Sequence, residues 1–437
     1  MQGENKIIPR KLSGFMELSP EKQIVFDNMQ EKIKTVFNRN CFMPLDTPVL
    51  ELAEVLLAKS GGDIDKEIYH FNKGDSHIAM RYDLTVPLAR FVAMNSETLS
   101  YPFKRYQIGK VYRGEKAQKG RFREFYQCDA DIIGNEKLPV AADAECVNML
   151  YEIFKELNLE VIINISNRNL LDGLIEEMGL SSQRNEILTI LDKLDKIGVE
   201  NVTAMLGDLG LSDKNITKLV HLCAKKGDFS ELIGDLFKVS KNETYLKGVN
   251  ELQELFTCLE AYGAKNCILN AGVIRGQNYY TGTIFEANMP SHPEFGAVGA
   301  GGRYDNLAQY FTDKKLPGVG MSIGLTRLFD LLDKNNLLPE EPKTNITLEI
   351  IPLGDTLTTC LSLVTHFKEN GINAQVNYDE RSFKAKLKAA NTKQIPYVLI
   401  VGEDEVKNKT YALKDMLNGT QSTLSKEDCV KTIKKDA

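Results

Sequence analysis

Residues 104–133, KRYQIGKVYRGEKAQKGRFREFYQCDADII, decide the fold. The stretch predicts two strands joined by a charged loop, with Arg113 and Glu115 at the loop's entry and Arg121 and Arg123 at its exit. Alternate residues of a strand share a face. In the second strand Phe122, Tyr126, Cys128, Ala130 and Ile132 therefore point one way, and Arg123, Gln127, Asp129 and Asp131 the other. Two readings of the polar face stand open. A half-buried antiparallel strand commonly turns such a face to water, and the same face can floor a cleft that holds a charged ligand. The loop gathers Arg113, Lys116, Lys119, Arg121 and Arg123 on a chain whose net charge is -6. A local basic cluster on an acidic protein points to a phosphate or nucleic-acid contact.

Upstream, the pattern predicts a helix over residues 20–38. Ser19 can cap it, Pro20 suits its first turn, and Val25, Phe26, Met29, Ile33, Val36 and Phe37 make a helical apolar stripe. LDTPVLE (45–51) reads as an extended segment at a sheet edge, because Pro48 cannot donate to a ladder. Gly61-Gly62 marks a mobile loop. HIAMRYDL (77–84) predicts a strand ending in the polar group Arg81, Asp83 and Thr85. Thr85 reads first as the cap of the helix that VPLARFVAMN begins, with Pro87 in its first turn.

Downstream, a helix over 139–157 leads to a strand over 160–166, and residues 168–260 carry helical spacing with Gly and Ser breaks. Residues 267–288 predict a strand, a turn near Gly276 and Gly282, and a second strand. GAVGAGGRYDNL (296–307) reads as a strand joined to a helix through a Gly-rich turn, without the GxGxxG spacing of a dinucleotide site. PGVGMSIGLTRLFDLL (317–332) is a small-residue strand running into a helix with Arg327 near its start. A cation there opposes the helix dipole, so an anionic partner is the natural explanation for it. After a Pro-bearing linker at 337–345, strands at 346–352, 373–378 and 396–401 alternate with helices at 355–369 and 382–391. Arg381, Lys384, Lys386 and Lys388 make either a solvated face or an RNA-facing edge.

The whole chain sets bounds. At 437 residues it is long enough for two or three domains, and 43% hydrophobic with 26% charged residues is the composition of a soluble globular protein. The acidic balance excludes a protein that coats nucleic acid by bulk charge. No apolar run reaches bilayer length, and MQGENKIIPRKLSG lacks the apolar core of a signal peptide. Eight scattered cysteines without a CxxC pair speak against structural zinc and disulfides and fit a reducing cytoplasm. No metal-ligand spacing is expected among the five histidines.

These segments, in this order, resemble the three signature motifs of class II aminoacyl-tRNA synthetases. LDTPVLE resembles the end of motif 1, KVYRGEKAQKGRFREF motif 2, and GVGMSIGLTRLF motif 3. VIRGQNYYTGTIFEA and GAGGRYDNL narrow the likeness to the histidyl-tRNA synthetases, while MRYDLTVPLARFVAMN and REFYQCDADIIGN look like that family's eukaryotic-type branch. The resemblance runs from about residue 10 to the end.

It implies an α+β fold: an antiparallel class II catalytic sheet flanked by helices, with a helical insertion and a C-terminal α/β anticodon-binding domain. The catalytic part would occupy 1–167 and 261–336, the insertion 168–260, the linker 337–345 and the anticodon-binding domain 346–437. It also implies activation of histidine with ATP and Mg²⁺, and transfer to tRNA(His) by a cytoplasmic homodimer. Arg113 and Arg275 would be catalytic, with Arg113, Glu115, Arg121 and Arg327 on ATP. Asp83, Thr85, Gln127, Asp131, Arg275, Tyr279 and Tyr280 would hold histidine, Asp131 and Tyr280 at the imidazole. Gln118 and Lys119 are candidates for touching the acceptor end. The sequence departs from the pattern at Gln277-Asn278, where the family has Leu-Asp, and at Thr326, where it has Glu. Those departures leave open a non-aminoacylating relative such as the regulatory subunit of ATP phosphoribosyltransferase. That reading is opposed by residues 346–437 and by the retained Arg113, Arg275 and Arg327.

Overall fold

A computed structural model of the protein describes residues 7–58, 67–116, 120–274 and 280–435. The expectations for Gly61-Gly62, Gln118, Lys119, Arg275, Gly276, Gln277, Asn278 and Tyr279 lie outside the described residues. The chain forms two compact units, residues through Met16 with Met29–Leu337, and Glu17–Asn28 with residues from Leu338 on.

The first unit is organised on a nine-stranded sheet. The first helix, α1 (Pro20–Arg39), is followed by β1 (Met43–Pro44), β2 (Leu50–Leu52), α2 (Ala53–Leu57), β3 (His70–Lys73), β4 (Ser76–Met80) and α3 (Thr85–Asn95). The hairpin β5 (Phe103–Tyr112) and β6 (Glu124–Ile133) comes next, then α4 (Ala141–Glu156) and β7 (Ile162–Asn167). Helices α5 (Arg168–Glu177), α6 (Arg184–Leu191), α7 (Leu194–Asp208) and α8 (Asp213–Cys223) lead through the short β8 (Lys226–Gly227) to α9 (Phe229–Val239) and α10 (Glu243–Tyr262). The chain then returns to the sheet as β9 (Cys267–Asn270), β10 (Thr283–Asn288), β11 (Ala297–Tyr304) and β12 (Gly318–Gly324), and ends in α11 (Leu325–Lys334). The strand order is β1-β5-β6-β12-β11-β10-β7-β9-β8, antiparallel except for the β1–β5 and β7–β9 pairs. A separate three-stranded sheet has the order β2-β4-β3.

The helical stripe of α1 is buried as its spacing requires, with Ile33, Val36 and Phe37 fully so. Helix α4 covers the sheet through Cys146, Val147, Met149, Leu150, Ile153 and Phe154, all fully buried. Helix α10 is capped by Asn242, whose Oδ1 accepts from the Tyr245 N–H at 3.0 Å, and stops at Gly263 in the left-handed region.

Three local expectations are corrected. Gly299, Gly301 and Gly302 are not a turn into a helix; they lie within β11, which Gly296 precedes, and a 3₁₀ turn at Leu307–Tyr310 follows. Close packing requires them: a Cβ on Gly301 would sit 2.3 Å from the Gly320 carbonyl and 2.4 Å from the Phe285 ring. Thr85 does not cap α3. It is the helix's first residue, and the Val86 N–H is accepted instead by Oδ1 of Asp83, two residues before it, at 3.1 Å. Phe122 does not share the Tyr126 face, because β6 begins only at Glu124 and the alternation does not reach back into the loop.

The second unit carries a five-stranded sheet in the order β14-β13-β15-β16-β17. Its elements are β13 (Leu348–Pro352), α12 (Leu357–Glu369), β14 (Ala374–Val376), α13 (Phe383–Thr392), β15 (Tyr397–Val401), α14 (Glu403–Asn408), β16 (Tyr411–Asp415), β17 (Gln421–Leu424) and α15 (Lys426–Lys435). The first three strands are parallel and the last two antiparallel. The N-terminal part of α1 belongs to this unit, where Asn28 Nδ2 donates to Glu341 Oε2 at 3.0 Å.

Candidate functional site

Strands β5, β6, β12 and β11 turn one continuous face to a cleft. The register sets Gln127, Asp129 and Asp131 of β6 opposite Gly324, Ser322 and Gly320 of β12. Two pockets open on it. The inner one, with a cavity volume of about 240 Å³, is lined by Asp83, Thr85, Gln127, Asp129, Asp131 and Tyr304 among others. The outer one, at about 540 Å³, is lined by Glu115, Arg121, Phe122, Phe125 and Arg327 among others. Glu67, Arg113, Gln127, Tyr280 and Ser322 line both. The polar face of β6 is thus the floor of a cleft, not a solvated surface.

The inner pocket is rich in carboxylates. Asp131 is pinned on both oxygens: Arg105, 0% exposed, meets Oδ2 at 2.6 Å, and the Tyr304 hydroxyl donates to Oδ1 at 2.5 Å. Gly320 makes room for this arrangement, since a Cβ there would fall 2.0 Å from Asp131 Oδ1. Gln127 Nε2 donates to Ser322 Oγ at 2.7 Å, and the Ser322 hydroxyl in turn donates to Asp129. Burial raises Asp129 to about 7; Arg105 and Ser322 oppose that rise, and Asp131 and Asp83 add to it. Burial also raises Asp131 against Arg105 and Tyr304, and Asp83 against its Val86 hydrogen bond and Arg113. Gln127 Oε1, Asp129 Oδ1 and Asp131 Oδ2 are buried acceptors with no hydrogen-bond partner among the described residues, the last held by its ion pair with Arg105 alone. Such groups are costly to leave unmatched, so this pocket suits a ligand bearing N–H donors or positive charge.

The outer pocket has the opposite sign. Arg113 stands at the junction, its Nε donating to the Tyr82 carbonyl at 3.1 Å and its guanidinium 5.1 Å from the Phe125 ring centre. Arg121 is 60% exposed and pairs with Glu115 at 3.0 Å across the loop. Arg327 Nη2 donates to the Phe295 carbonyl at 2.6 Å, a backbone tether that explains its position near the start of α11 as well as an anion does. Aromatic faces beside guanidinium groups suit a planar base with phosphates.

Every described candidate residue, Asp83, Thr85, Arg113, Glu115, Arg121, Gln127, Asp131, Tyr280 and Arg327, lines one or both pockets. Arg123 does not line either; its Nε donates to the Glu115 carbonyl at 3.0 Å and closes the loop. Sequence reasoning passed over Glu67, Tyr82, Phe125 and Ser322, and gave Asp129 no role beyond its strand face. The Gly-Gly-Arg-Tyr-Asp segment carried signal for more than it was given. Arg303 clamps Asp143 at 2.7 and 3.1 Å, Tyr304 reaches Asp131, and Asp305 accepts from the Thr281 hydroxyl at 2.6 Å beside Tyr280. Thr326 is buried, and its hydroxyl accepts the Tyr126 N–H at 2.8 Å, tying α11 to β6.

The family model described as histidyl-tRNA synthetase matches residues 14–328, and the one described as anticodon binding domain matches residues 348–436. A histidine–tRNA ligase of Clostridium tetani is 42% identical over 431 residues, 98% of each chain. The crystal structure of histidyl-tRNA synthetase from Nostoc sp. PCC 7120 superposes with a TM-score of 0.90 at 32% identity, covering 99% of this chain and 100% of that one. A Bacillus halodurans structure titled as an ATP phosphoribosyltransferase regulatory subunit/histidyl-tRNA synthetase has a TM-score of 0.77, with 91% of this chain and 99% of that one covered; at 21% identity it speaks for the fold alone. These relatives are bacterial, so the likeness of 80–95 and 123–135 to the eukaryotic-type branch is not supported by them.

Proposed function

The chain belongs to the histidyl-tRNA synthetase family, and from that premise we propose that its two joined pockets carry out the family's ATP-dependent ligation of histidine to tRNA(His). The inner pocket holds the amino acid and the outer one the nucleotide. The observation that carries this division is Arg113, which lines both pockets between the carboxylates on one side and Arg121 and Arg327 on the other. A carboxylate of histidine and the α-phosphate of ATP both seek a guanidinium, and one shared arginine brings them together.

In the first step a carboxylate oxygen of histidine bonds to the α-phosphorus of ATP and pyrophosphate leaves. In the second, a hydroxyl of the terminal ribose of tRNA attacks the activated carbonyl and AMP leaves. Arg113 holds the α-phosphate with Arg275, Glu115 receives the adenine amino group, and Arg121 and Arg327 hold the outer phosphates. Asp83, Thr85 and Gln127 receive the ammonium and carboxylate ends of histidine; Asp131, Tyr279 and Tyr280 form its side-chain end. Positioned positive charge supplies most of the acceleration. Mg²⁺ enters with the nucleotide, on whose phosphates it is carried.

The second unit takes the anticodon end of the tRNA, with Lys384, Lys386 and Lys388 of α13 as its basic edge. Exposed Met43, Val49, Leu50 and Leu52 support assembly as a homodimer. All eight cysteines are free thiols, in keeping with a cytoplasmic setting, and among the described residues no helix is long and apolar enough to cross a membrane. The test is charging of tRNA(His) with labelled histidine and ATP. Histidine-dependent acid-precipitable label is expected; folded protein that leaves the tRNA uncharged would overturn the reading.

A further inference from the structure

Spacing along the chain gives the five histidines no metal-ligand pattern, but the β3–β4 hairpin brings two of them together. Its register sets His70 opposite Ala79 and Asn72 opposite His77, so these four side chains share one face of the three-stranded sheet. His70 and His77 are diagonal neighbours on that face, and both are exposed. Nδ1 of His70 lies 3.1 Å from Nε2 of His77, and the rings stand edge to face with their centres 5.1 Å apart. An ion bound at a metal–nitrogen length of about 2.0–2.1 Å holds two ligand nitrogens about 2.8–3.4 Å apart, for angles between octahedral and tetrahedral. The pair already has that bite. Asn72, directly across from His77, adds a carboxamide on the same side as a third donor. Lys73, the one lysine of the hairpin, lies on the other face with the exposed Phe71, so its charge is turned away from the imidazoles.

We propose that His70 and His77 form a chelating site for a divalent transition ion of the Ni²⁺, Cu²⁺ or Zn²⁺ class, with Asn72 and water completing its shell. Imidazole suits these ions, whereas Mg²⁺ and Ca²⁺ take oxygen ligands. Without the ion, one ring donates its N–H to the other ring's nitrogen. On binding, the donor ring moves that proton to its own second nitrogen, and both freed lone pairs turn to the metal. Neither histidine lines either pocket, so the ion acts as a staple across the two strands and takes no part in the ligation chemistry.

The test is calorimetric titration of the untagged full-length protein with NiCl₂, in wild type, His70→Gln, His77→Gln and the control His221→Gln. All three side chains are exposed, so the substitutions leave the packed core untouched. One ion per chain is expected in wild type and in H221Q, with affinity at least about tenfold lower in each of H70Q and H77Q. An excess of MgCl₂ is expected to leave the Ni²⁺ in place. Absence of Ni²⁺ binding in wild type, or wild-type affinity in either hairpin variant, overturns the inference. So does an equal loss in H221Q, or displacement of the ion by Mg²⁺.

Discussion

The inner and outer pockets share five lining residues and the same strands, yet they are built on opposite electrostatic plans. The inner one keeps its charges buried: Arg105 is 0%, Asp131 2% and Asp129 3% exposed, and each is tied into a network with Tyr304 or Ser322. The outer one keeps charge near water, with Arg121 60% exposed and paired to Glu115. The difference teaches what each must do. A small ligand is told from its analogues by fixed, desolvated groups. Phosphates are held by guanidinium groups whose fork of donors matches their oxygens.

Substitutions can break this contrast. The largest effect is expected from Arg105→Met, which leaves Asp131 without its counter-ion in a fully buried site. Breaking such a pair costs about 3–5 kcal/mol, so a drop in melting temperature on the order of 10 °C is expected by differential scanning fluorimetry. An unchanged melting temperature would mean that Tyr304 alone suffices to hold Asp131. Next comes Arg113→Ala, placed where the two plans meet. It should lower the rate of histidine-dependent pyrophosphate exchange about 10²- to 10³-fold while leaving the melting temperature within a few degrees. Loss of stability without loss of rate would assign Arg113 to the scaffold.

The smallest effect sharpens the comparison through pH. Asp129 is raised from the ordinary 3.8 to about 7, first by burial. Between those values the folded state keeps a proton that the unfolded chain has shed. Stability therefore falls as pH rises from about 4 to about 7 and stays low above it. Asp129→Asn removes that cost. It should melt a few degrees above wild type at pH 8, with the advantage shrinking toward pH 4. A lower melting temperature for the variant at pH 8 would contradict the account.

Much of this was legible in the sequence where one periodicity governs. The hairpin of β5 and β6, the stripe of α1 and the passage from β12 into α11 all follow from residue spacing. Burial of the polar face was not legible, because alternation fixes only that two faces differ; it takes β12 and β11 alongside to turn the face into a cleft floor. Gly299, Gly301 and Gly302 read as a turn, yet they are strand residues whose missing side chains admit neighbours such as Leu150, Phe285 and Tyr280. Asp83 against Thr85 as the acceptor at the start of α3 was a contest between residues two apart that propensity does not decide. Arg105 was hidden for another reason: its partner Asp131 is known only once the register of β5 on β6 sets the two opposite each other.

The central claim is that the two plans meet in one reaction, with the inner pocket choosing histidine and the outer one delivering ATP. ATP–pyrophosphate exchange by the full-length protein, with each of the twenty amino acids supplied separately, tests it most directly. The account predicts exchange with histidine and none above background with the other nineteen. Exchange with a different amino acid, or silence with all twenty from folded protein, would contradict it.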